Sequence, residues 1–363
     1  MKSTFSLVIL LFCVSFFSYS QEFKWFKESP EMMAALEGRG WDDIGFNRLP
    51  VSAEEQVRKP VWNLSRQTAG LVLRFSTSSE EIKVNYEVTG NLNMYHMPTT
   101  GVSGLDLYTK DENGNWLWIK GNYNFADSVK ASFKLDNPDK DTKEFYLFFP
   151  LYNGVKSMEI GVKDQAEFAF LSKRVEKPIL VYGTSIAQGA CASRPGMAWT
   201  GILERDLDYP VINLAFSGNG RMEKEVVDLV NEIDAGLFVI DCLPNLGPGL
   251  GLTMDVIQEK YLYAVKAIRQ KHPEIPILLT EHAGYSDGLV NEEKAVIYED
   301  LNLMLKETYQ LLETSGVKGV YYLTKEEINL SVDDFVDGTH PNDLGMYRYA
   351  KAYEKKLKEI MNK

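Results

Sequence analysis

Three residues in the C-terminal half of the sequence have the types and spacing that acyl transfer requires. Ser185 lies in a Gly-Thr-Ser-Ile segment, and Asp337 precedes His340 by three positions. A serine hydroxyl is a weak nucleophile until an imidazole takes its proton, and a carboxylate must hold that imidazole in the right tautomer. Because a turn brings residues i and i+3 together, Asp337 can bind one ring nitrogen of His340 while the other faces Ser185. The sequence therefore predicts a catalytic triad of Ser185, His340 and Asp337.

Two further segments offer hydrogen-bond donors for an oxyanion. Gly218, in a Ser-Gly-Asn-Gly segment, allows the backbone to turn sharply and point an N–H group into a cleft. Asn245, in Leu-Pro-Asn-Leu, can present its side-chain amide, although a turn former after proline is the alternative interpretation. Together with the backbone N–H of Ser185, these groups predict an oxyanion hole.

The predicted site residues follow the strands of a repeating pattern. Beyond residue 178, short apolar segments alternate with helical segments, which predicts a parallel sheet with helices on both faces. In such sheets, functional groups gather at the carboxyl edge of the strands. The predicted strands are 179–182, 211–216, 237–241, 275–280 and 317–322, and the predicted helices are about 197–208, 222–233, 254–271, 290–315 and 343–361.

The first half of the chain has a different pattern. Residues 71–88 alternate between apolar and polar on both sides of a Ser-Ser-Glu turn, which predicts an antiparallel pair of strands. Many short strands without crossover helices favour a β-sandwich of the jelly-roll kind over residues 21–172. The charged stretch at 171–178 marks a boundary, so that residues 173–363 form the second domain. Further strands are predicted at 104–108, 116–119, 145–149 and 158–162.

The N-terminus predicts export. A lysine at position 2, a largely apolar run over 5–17 and small residues before Gln21 are typical of a secretory signal peptide. The run is too short for a permanent membrane span, although a retained anchor is the alternative. We therefore expect residues 1–20 to be removed near Ser20 and Gln21, and the protein to be extracytoplasmic, in the periplasm or secreted.

Composition restricts the partners. A net charge of −12 without a basic stripe opposes nucleic-acid binding, and no later apolar stretch is long enough for stable membrane insertion. No cofactor is predicted, and no metal, because no second His or Cys stands at ligand spacing near His282. Cys191 and Cys242 either form a disulfide or remain two buried free thiols. The expected partner is a small-molecule or polysaccharide ester, and the oligomeric state is left open.

The segments that contain Ser185, Gly218, Asn245 and His340 resemble, in order, the four blocks of the SGNH (GDSL-like) hydrolases. The resemblance covers about 178–361 and implies a flavodoxin-like three-layer α/β/α domain. It implies Ser185 as nucleophile, His340 as base, Asp337 as the orienting acid, and Gly218 and Asn245 in the oxyanion hole.

The resemblance extends to the N-terminal half and also has exceptions. The segment Gly-Leu-Asp-Leu-Tyr at 104–108 is similar to the β-domain that precedes a bacterial subgroup of these esterases. Thr184 stands where the family has an Asp before the nucleophile, and Leu-Pro-Asn-Leu at 243–246 replaces Gly-Thr-Asn-Asp. These departures change the floor of the cleft and affect the expected substrate more than the expected reaction.

Four other residues are candidates for substrate binding. Arg194 and Trp199 follow the nucleophile closely, and an arginine and an aromatic ring suit a carboxylate or a sugar, although Trp199 at helical spacing also fits a core position. His282 follows the fourth predicted strand and could line the cleft. His96, in a loop of the β-domain, could reach the cleft from across the domain interface.

The sequence thus predicts a secreted serine esterase that removes short acyl groups, preferably acetyl, from carbohydrates through an acyl-enzyme intermediate. The carbohydrate part comes from the predicted export and the family analogy. The short acyl group follows from the lack of an amphipathic segment that would make an apolar lid. The alternatives are a lipid or other acylhydrolase, and a non-catalytic carbohydrate-binding protein with a hydrolase fold.

Overall fold

The computed structural model describes residues 22–126, 128–136 and 141–362, so the predicted signal peptide lies outside the described residues. Antiparallel sheets fill the first part of the chain and a parallel sheet fills the second. No helix within the described ranges is long and apolar enough to span a membrane.

Two antiparallel sheets pack face to face in the N-terminal domain. One has the order β1-β10-β4-β8-β7 and the other β11-β3-β9-β5-β6, with β2 beside β3. Inward side chains from both sheets, such as Phe75 and Phe133, form one shared core. The elements are β1 (Phe23–Lys27), α1 (Pro30–Ala35), β2 (Leu36–Glu37), α2 (Lys59–Ser65), β3 (Val72–Thr77), β4 (Glu81–Val88), α3 (Thr99–Val102), β5 (Asp106–Lys110), β6 (Trp116–Ile119), β7 (Gly121–Asn124), β8 (Ser128–Lys134), β9 (Lys143–Phe148), β10 (Val155–Lys163) and β11 (Phe168–Phe170).

The predicted pairing of the two strands within 71–88 is wrong. Both strands exist, but β3 pairs with β9 and β11, whereas β4 pairs with β10 and β8 in the facing sheet. The turn between them crosses from one sheet to the other, because the apolar side chains of both strands face the same core. Alternation identifies the buried face of a strand but not its neighbour.

The second domain is a parallel sheet of order β13-β12-β14-β15-β16 with helices on both faces, which confirms the predicted fold class. Alternate residues of β12 enter opposite cores: Leu180 and Tyr182 face one side, and Ile179 and Val181 face the other. The elements are β12 (Ile179–Gly183), α4 (Ser185–Gln188), α5 (Trp199–Leu207), β13 (Val211–Ala215), α6 (Lys224–Glu232), β14 (Leu237–Asp241), α7 (Met254–Lys271), β15 (Ile277–Thr280), α8 (Glu292–Thr314), β16 (Val320–Leu323), α9 (Lys325–Ile328) and α10 (Asp343–Met361).

A segment from the first half of the chain completes the second domain. Side chains of residues 49–62, including Leu49 and Trp62, pack into the core on one face of the parallel sheet. Arg48 is fully buried and donates hydrogen bonds to the carbonyl oxygens of Asn213 and Ala215, at 3.3 and 2.6 Å. The two domains therefore share buried structure, and the division at residue 172 stays a prediction.

Candidate active site

The three residues predicted as a triad form a continuous hydrogen-bond relay. Ser185 Oγ lies 2.9 Å from His340 Nε2, and His340 Nδ1 lies 2.8 Å from Asp337 Oδ2. Ser185 is 6% exposed, so the nucleophile is largely shielded from solvent. This geometry lets the imidazole take a proton from the hydroxyl while the carboxylate holds the ring.

The nucleophile turn follows strand β12 directly. Thr184 is extended and precedes α4, so Ser185 is the first residue of the helix and its N–H has no acceptor within that helix. A Cβ on Gly220 would lie 2.3 Å from the carbonyl oxygen of Gly183. Only glycine at position 220 therefore allows the loop after β13 to approach the nucleophile turn this closely.

The turn over residues 337–340 positions the base. Asp337 Oδ1 accepts hydrogen bonds from the backbone N–H groups of Thr339 and His340, at 3.1 and 2.8 Å. Burial would raise the pKa of the Asp337 carboxyl, but the hydrogen bonds from the side chain and backbone of His340 outweigh it and hold that pKa below its ordinary value. Asp337 is therefore ionised at neutral pH.

The predicted oxyanion donors lie at the carboxyl edge of the same sheet. Gly218 has φ +66°, and a Cβ there would have no atom within 4 Å, so its backbone borders open space. Asn245 Oδ1 accepts a hydrogen bond from the Gly220 N–H at 3.1 Å, which fixes the orientation of the amide. Its Nδ2 group has no acceptor within the described ranges and is free to donate to a substrate oxygen.

A cavity of about 320 Å³ opens beside these two residues. Gly218 and Asn245 form part of its wall, and Leu246, Leu250 and Ile297 supply apolar surface. It is an open pocket with both polar and apolar walls, next to the group that would bind an oxyanion.

Two of the four lesser candidates are fully buried in the core. Trp199 is 0% exposed and stacks on Tyr353 with ring centroids 4.1 Å apart, so it has no face for a sugar. His282 is 1% exposed, accepts a hydrogen bond from the Gly284 N–H, and has its pKa lowered to about 3 by burial. Neither side chain has the exposed surface that contact with a substrate requires.

Arg194 lies at the domain interface, where the segment at 104–108 holds it. Its guanidinium donates a hydrogen bond to Asp106 Oδ2 at 2.6 Å and another to the Tyr108 hydroxyl. Asp106 also accepts hydrogen bonds from the Gly196 N–H at 2.9 Å and from Trp118 Nε1 at 2.6 Å. This contact, which we call the β5 clamp (Asp106, Tyr108, Arg194 and Gly196), ties the β-domain to the loop after the nucleophile. The guanidinium of Arg194, which the sequence suggested as a substrate-binding group, is therefore paired with a carboxylate of the protein.

His96 reaches the site from the β-domain. Its ring centroid is 5.9 Å from that of His340, and its Nδ1 is buried without a hydrogen-bond partner in the described part of the chain. The neighbouring Met97 packs into the core of the second domain and anchors the loop. Tyr95, which the sequence did not single out, is 98% exposed beside His96.

Of the two alternatives for the cysteines, the structure has the free thiols: Cys191 and Cys242 are both unpaired and buried. Cys242 Sγ lies 3.5 Å from the carbonyl oxygen of Tyr182 within one core, whereas Cys191 lies with His96, Asp337 and His340 in the cleft. Burial, and then the charge of Asp337, raise the pKa of the Cys191 thiol to about 12. Cys191 is therefore protonated at neutral pH and is not a competing nucleophile.

A parallel sheet between two helical layers, with serine, glycine, asparagine and histidine at its carboxyl edge, defines the SGNH class of hydrolases. The chain belongs to the GDSL-like lipase/acylhydrolase family, whose model matches residues 176–358. Residues 23–168 match the model of the N-terminus of SGNH-hydrolase-type esterases, named GxDLY, and the clamp residues Asp106 and Tyr108 belong to that motif. The family indicates an enzyme that hydrolyses esters.

Solved structures agree with this assignment. A structure described as a GDSL-like lipase from Bacteroides ovatus has 32% sequence identity and a TM-score of 0.85, covering 94% of this chain and 98% of the other. The salicylyl-acyltransferase SsfX3 has 20% identity and a TM-score of 0.73, covering 93% and 98%. A family two carbohydrate esterase from Clostridium thermocellum has 12% identity and a TM-score of 0.53, covering 80% and 92%, so both of these share only the fold. No curated protein sequence matches.

Proposed function

We propose that the protein is a serine esterase that works through an acyl-enzyme intermediate. The observation that carries this proposal is the relay from Ser185 through His340 to Asp337. In the proposed reaction, Ser185 Oγ attacks the ester carbonyl while its proton passes to His340 Nε2. His340 returns that proton to the leaving alcohol, and water then releases the acid by the same path.

The oxyanion of each tetrahedral intermediate would be stabilised by the N–H groups of Ser185 and Gly218 and the side-chain amide of Asn245. Support comes from the fixed orientation of that amide and from the open backbone at Gly218. Such donors are effective because they are oriented before the charge develops.

We propose a carbohydrate acetyl ester as the substrate. A Clostridium thermocellum structure with this fold is described as a carbohydrate esterase in complex with cellohexaose, and this suggests the substrate class. Local support comes from Tyr95, an almost fully exposed ring beside His96 at the cleft, because sugars bind well to exposed aromatic faces. His96 itself is a candidate contact for the alcohol part of the substrate.

A second candidate is a longer apolar acyl group. The cavity of about 320 Å³ beside Gly218 and Asn245 is larger than an acetyl group requires, and Leu246, Leu250 and Ile297 make part of its wall apolar. A series of p-nitrophenyl esters from acetyl to octanoyl separates the two candidates. A kcat/KM that falls steadily with chain length supports the acetyl ester, and one that peaks at a longer chain supports the apolar acyl group.

The reaction itself is tested by hydrolysis of p-nitrophenyl acetate by wild type, Ser185→Ala and Ser286→Ala. Ser286 is the matched control, because it lies against Gly338 near the base but outside the relay. We expect Ser185→Ala to lower kcat by about 10⁶-fold, or to the background rate, and Ser286→Ala to retain activity. Equal rates in wild type and Ser185→Ala would contradict the proposal.

The carbohydrate part is tested by Tyr95→Ala on an acetylated oligosaccharide and on p-nitrophenyl acetate. Loss of a sugar-stacking ring should raise KM about 2–10-fold for the oligosaccharide and leave the small ester unaffected. Tyr321→Ala, which removes another exposed tyrosine on the edge strand β16, serves as the control. An equal rise in KM for both substrates would show that Tyr95 affects the shape of the cleft and does not bind the sugar.

We also propose that the protein is exported, with residues 1–20 removed near Ser20 and Gln21, and that residues 21–172 and 173–363 are its two domains. The charged start and apolar run of the N-terminus support export. The mass of the protein recovered outside the cytoplasm tests the cleavage: a mass that includes residues 1–20 would contradict it.

A further inference from the structure

Four side chains of metal-binding types lie close together around the base of the relay, His340. His96, Cys191, Asp337 and His340 each offer one ligand atom, and these atoms all lie within 4.8 Å of one another. They come from three separate stretches: a β-domain loop, the loop after the nucleophile helix and the turn before α10. Only the folded, two-domain molecule brings them together.

The ligand set matches one ion in particular. Two imidazoles, a carboxylate and the thiolate that Cys191 forms when it releases its proton to solvent on metal binding are nitrogen, oxygen and sulfur donors, which Zn²⁺ binds in tetrahedral sites. Zinc–ligand bonds of about 2.0–2.3 Å place the ligand atoms of such a site about 3.3–3.8 Å apart. The four atoms therefore need to approach one another by at most about 1.0–1.5 Å for a tetrahedral site to form. We propose that His96, Cys191, Asp337 and His340 form a Zn²⁺ site.

Two features of the free site support this assignment independently of the distances. His96 Nδ1 is buried but has no hydrogen-bond partner among the described residues, so this ring nitrogen is not engaged by another group. Cys191 has φ +70°, a left-handed conformation that costs free energy for a residue with a side chain. Cys191 is also buried there and does not pair with Cys242.

A zinc ion at this site would stop catalysis, a consequence that rests on the proposed function. His340 uses Nδ1 to bind Asp337 and Nε2 to bind Ser185. Whichever nitrogen binds the ion, one of these two hydrogen bonds is lost, and the imidazole can no longer accept the proton of Ser185. The ion is therefore an inhibitor that binds the base and not a cofactor of the reaction.

The site is tested first by metal binding alone. Co²⁺ is added to metal-free wild type, Cys191→Ala, His96→Ala and Cys242→Ala, and the visible and near-ultraviolet spectra are recorded. Wild type should bind one equivalent with intense tetrahedral bands and a thiolate-to-cobalt charge-transfer band. Cys242→Ala, which removes the other buried cysteine, should retain both features.

The affinity for Zn²⁺ is then measured by its displacement of bound Co²⁺, and each ligand variant has its own expected result. Cys191→Ala should lose the charge-transfer band, and His96→Ala should weaken the affinity by more than the about 10–100-fold that loss of a second-shell partner costs. Thermal unfolding of each variant checks that it is folded. Cobalt bound without a thiolate band in wild type, or with equal affinity in Cys191→Ala and wild type, would overturn the proposal.

Inhibition is then measured with p-nitrophenyl acetate. Zn²⁺ should inhibit wild type and Cys242→Ala reversibly, with recovery after EDTA, whereas Cys191→Ala should remain active at the same concentration. If metal-free wild type does not hydrolyse esters, the proposed function fails while the spectra still decide the metal site. Equal inhibition of wild type and Cys191→Ala would contradict inhibition through this site.

Discussion

His340 is held through both of its ring nitrogens, and the two partners make different demands on it. The hydrogen bond to Asp337 Oδ2, at 2.8 Å, selects the tautomer with the proton on Nδ1. Nε2 then has a lone pair toward Ser185 Oγ, 2.9 Å away. The relay therefore depends on a carboxylate at position 337 and not on a hydrogen-bonding group of any kind.

We expect Asp337→Asn to lower kcat for ester hydrolysis by about 10³–10⁴-fold with little change in KM, because an amide favours the wrong tautomer of His340. The pKa of Asp337 is held below its ordinary value, so in wild type the carboxylate stays ionised as the pH falls to its ordinary pKa. The acid side of the wild-type pH profile should consequently show no loss of activity due to Asp337. If the kcat of Asp337→Asn were within 10-fold of the wild-type value, the carboxylate would not be needed for catalysis.

At the scale of single elements, strand β5, which contains the Asp-Leu-Tyr part of the motif at 104–108, connects the β-domain to the loop after the nucleophile helix. Its Asp106 is 2% exposed and pairs with Arg194, while the Gly196 N–H binds the same carboxylate. The loop that carries Arg194 begins just after the nucleophile helix α4. The β5 clamp thus fixes one wall of the cleft relative to the β-domain.

Asp106→Asn should lower the free energy of unfolding by about 3–5 kcal/mol, because it leaves a largely buried guanidinium without its charge partner. The double variant Asp106→Asn/Arg194→Met should lose less than the sum of the two single variants. Lys110→Met is the matched control, because Lys110 lies on the same strand and pairs with Asp208 across the domains. This pair is more exposed, so its loss should lower the free energy of unfolding by less than about 1 kcal/mol. Urea unfolding measures all four. Additive losses would mean that the pair is not coupled.

The sequence predicted the bounds of elements in the second domain well, but it did not predict which residues distant in the chain contact one another. Strand β14 and helices α7 and α10 have the predicted bounds, because long apolar periodicity identifies an element by its own residues. The partners of β3 and β4, and the contact of His96 with His340, depend on residues far apart in the chain. Arg194 was expected to bind substrate because its charge was visible in the sequence, whereas its partner Asp106 lies in the other domain.

At the scale of the whole molecule, the candidate site depends on both domains. The second domain supplies the relay, and the β-domain supplies His96, Tyr95 and the Asp106 and Tyr108 part of the β5 clamp. The buried Arg48 and the segment at 49–62 join the two parts still more closely. We therefore expect residues 173–363 alone to lack part of their core, and the protein to unfold as one unit.

One buried group should make the stability of that unit depend on pH. Asp241 ends the central strand β14 beside Gly183, where it is 1% exposed and has the hydroxyl of Tyr353 as a hydrogen-bonding neighbour. Burial raises its pKa to about 7, whereas in the unfolded chain it is about 3.9. Between these values the folded protein keeps a proton that the unfolded chain releases, so the free energy of unfolding falls as the pH rises and then levels off.

Asp241→Asn removes this dependence, because the amide is neutral at every pH. The difference in free energy of unfolding between Asp241→Asn and wild type should shift in favour of the variant by roughly 4 kcal/mol from pH 4 to pH 8. Groups that titrate in both proteins cancel, and any packing change alters the level but not the slope. A difference that is constant with pH would show that Asp241 is charged in the fold.

Ser185 should carry the acyl group of the substrate during turnover. Wild type is mixed with p-nitrophenyl acetate, quenched in acid during steady state and digested, and the peptides are analysed by mass spectrometry. We predict one acetyl group on Ser185 in wild type and none at that position in Ser185→Ala. Ester hydrolysis by wild type with no acetyl group on Ser185, and an unchanged rate in Ser185→Ala, would contradict the role of Ser185 as nucleophile.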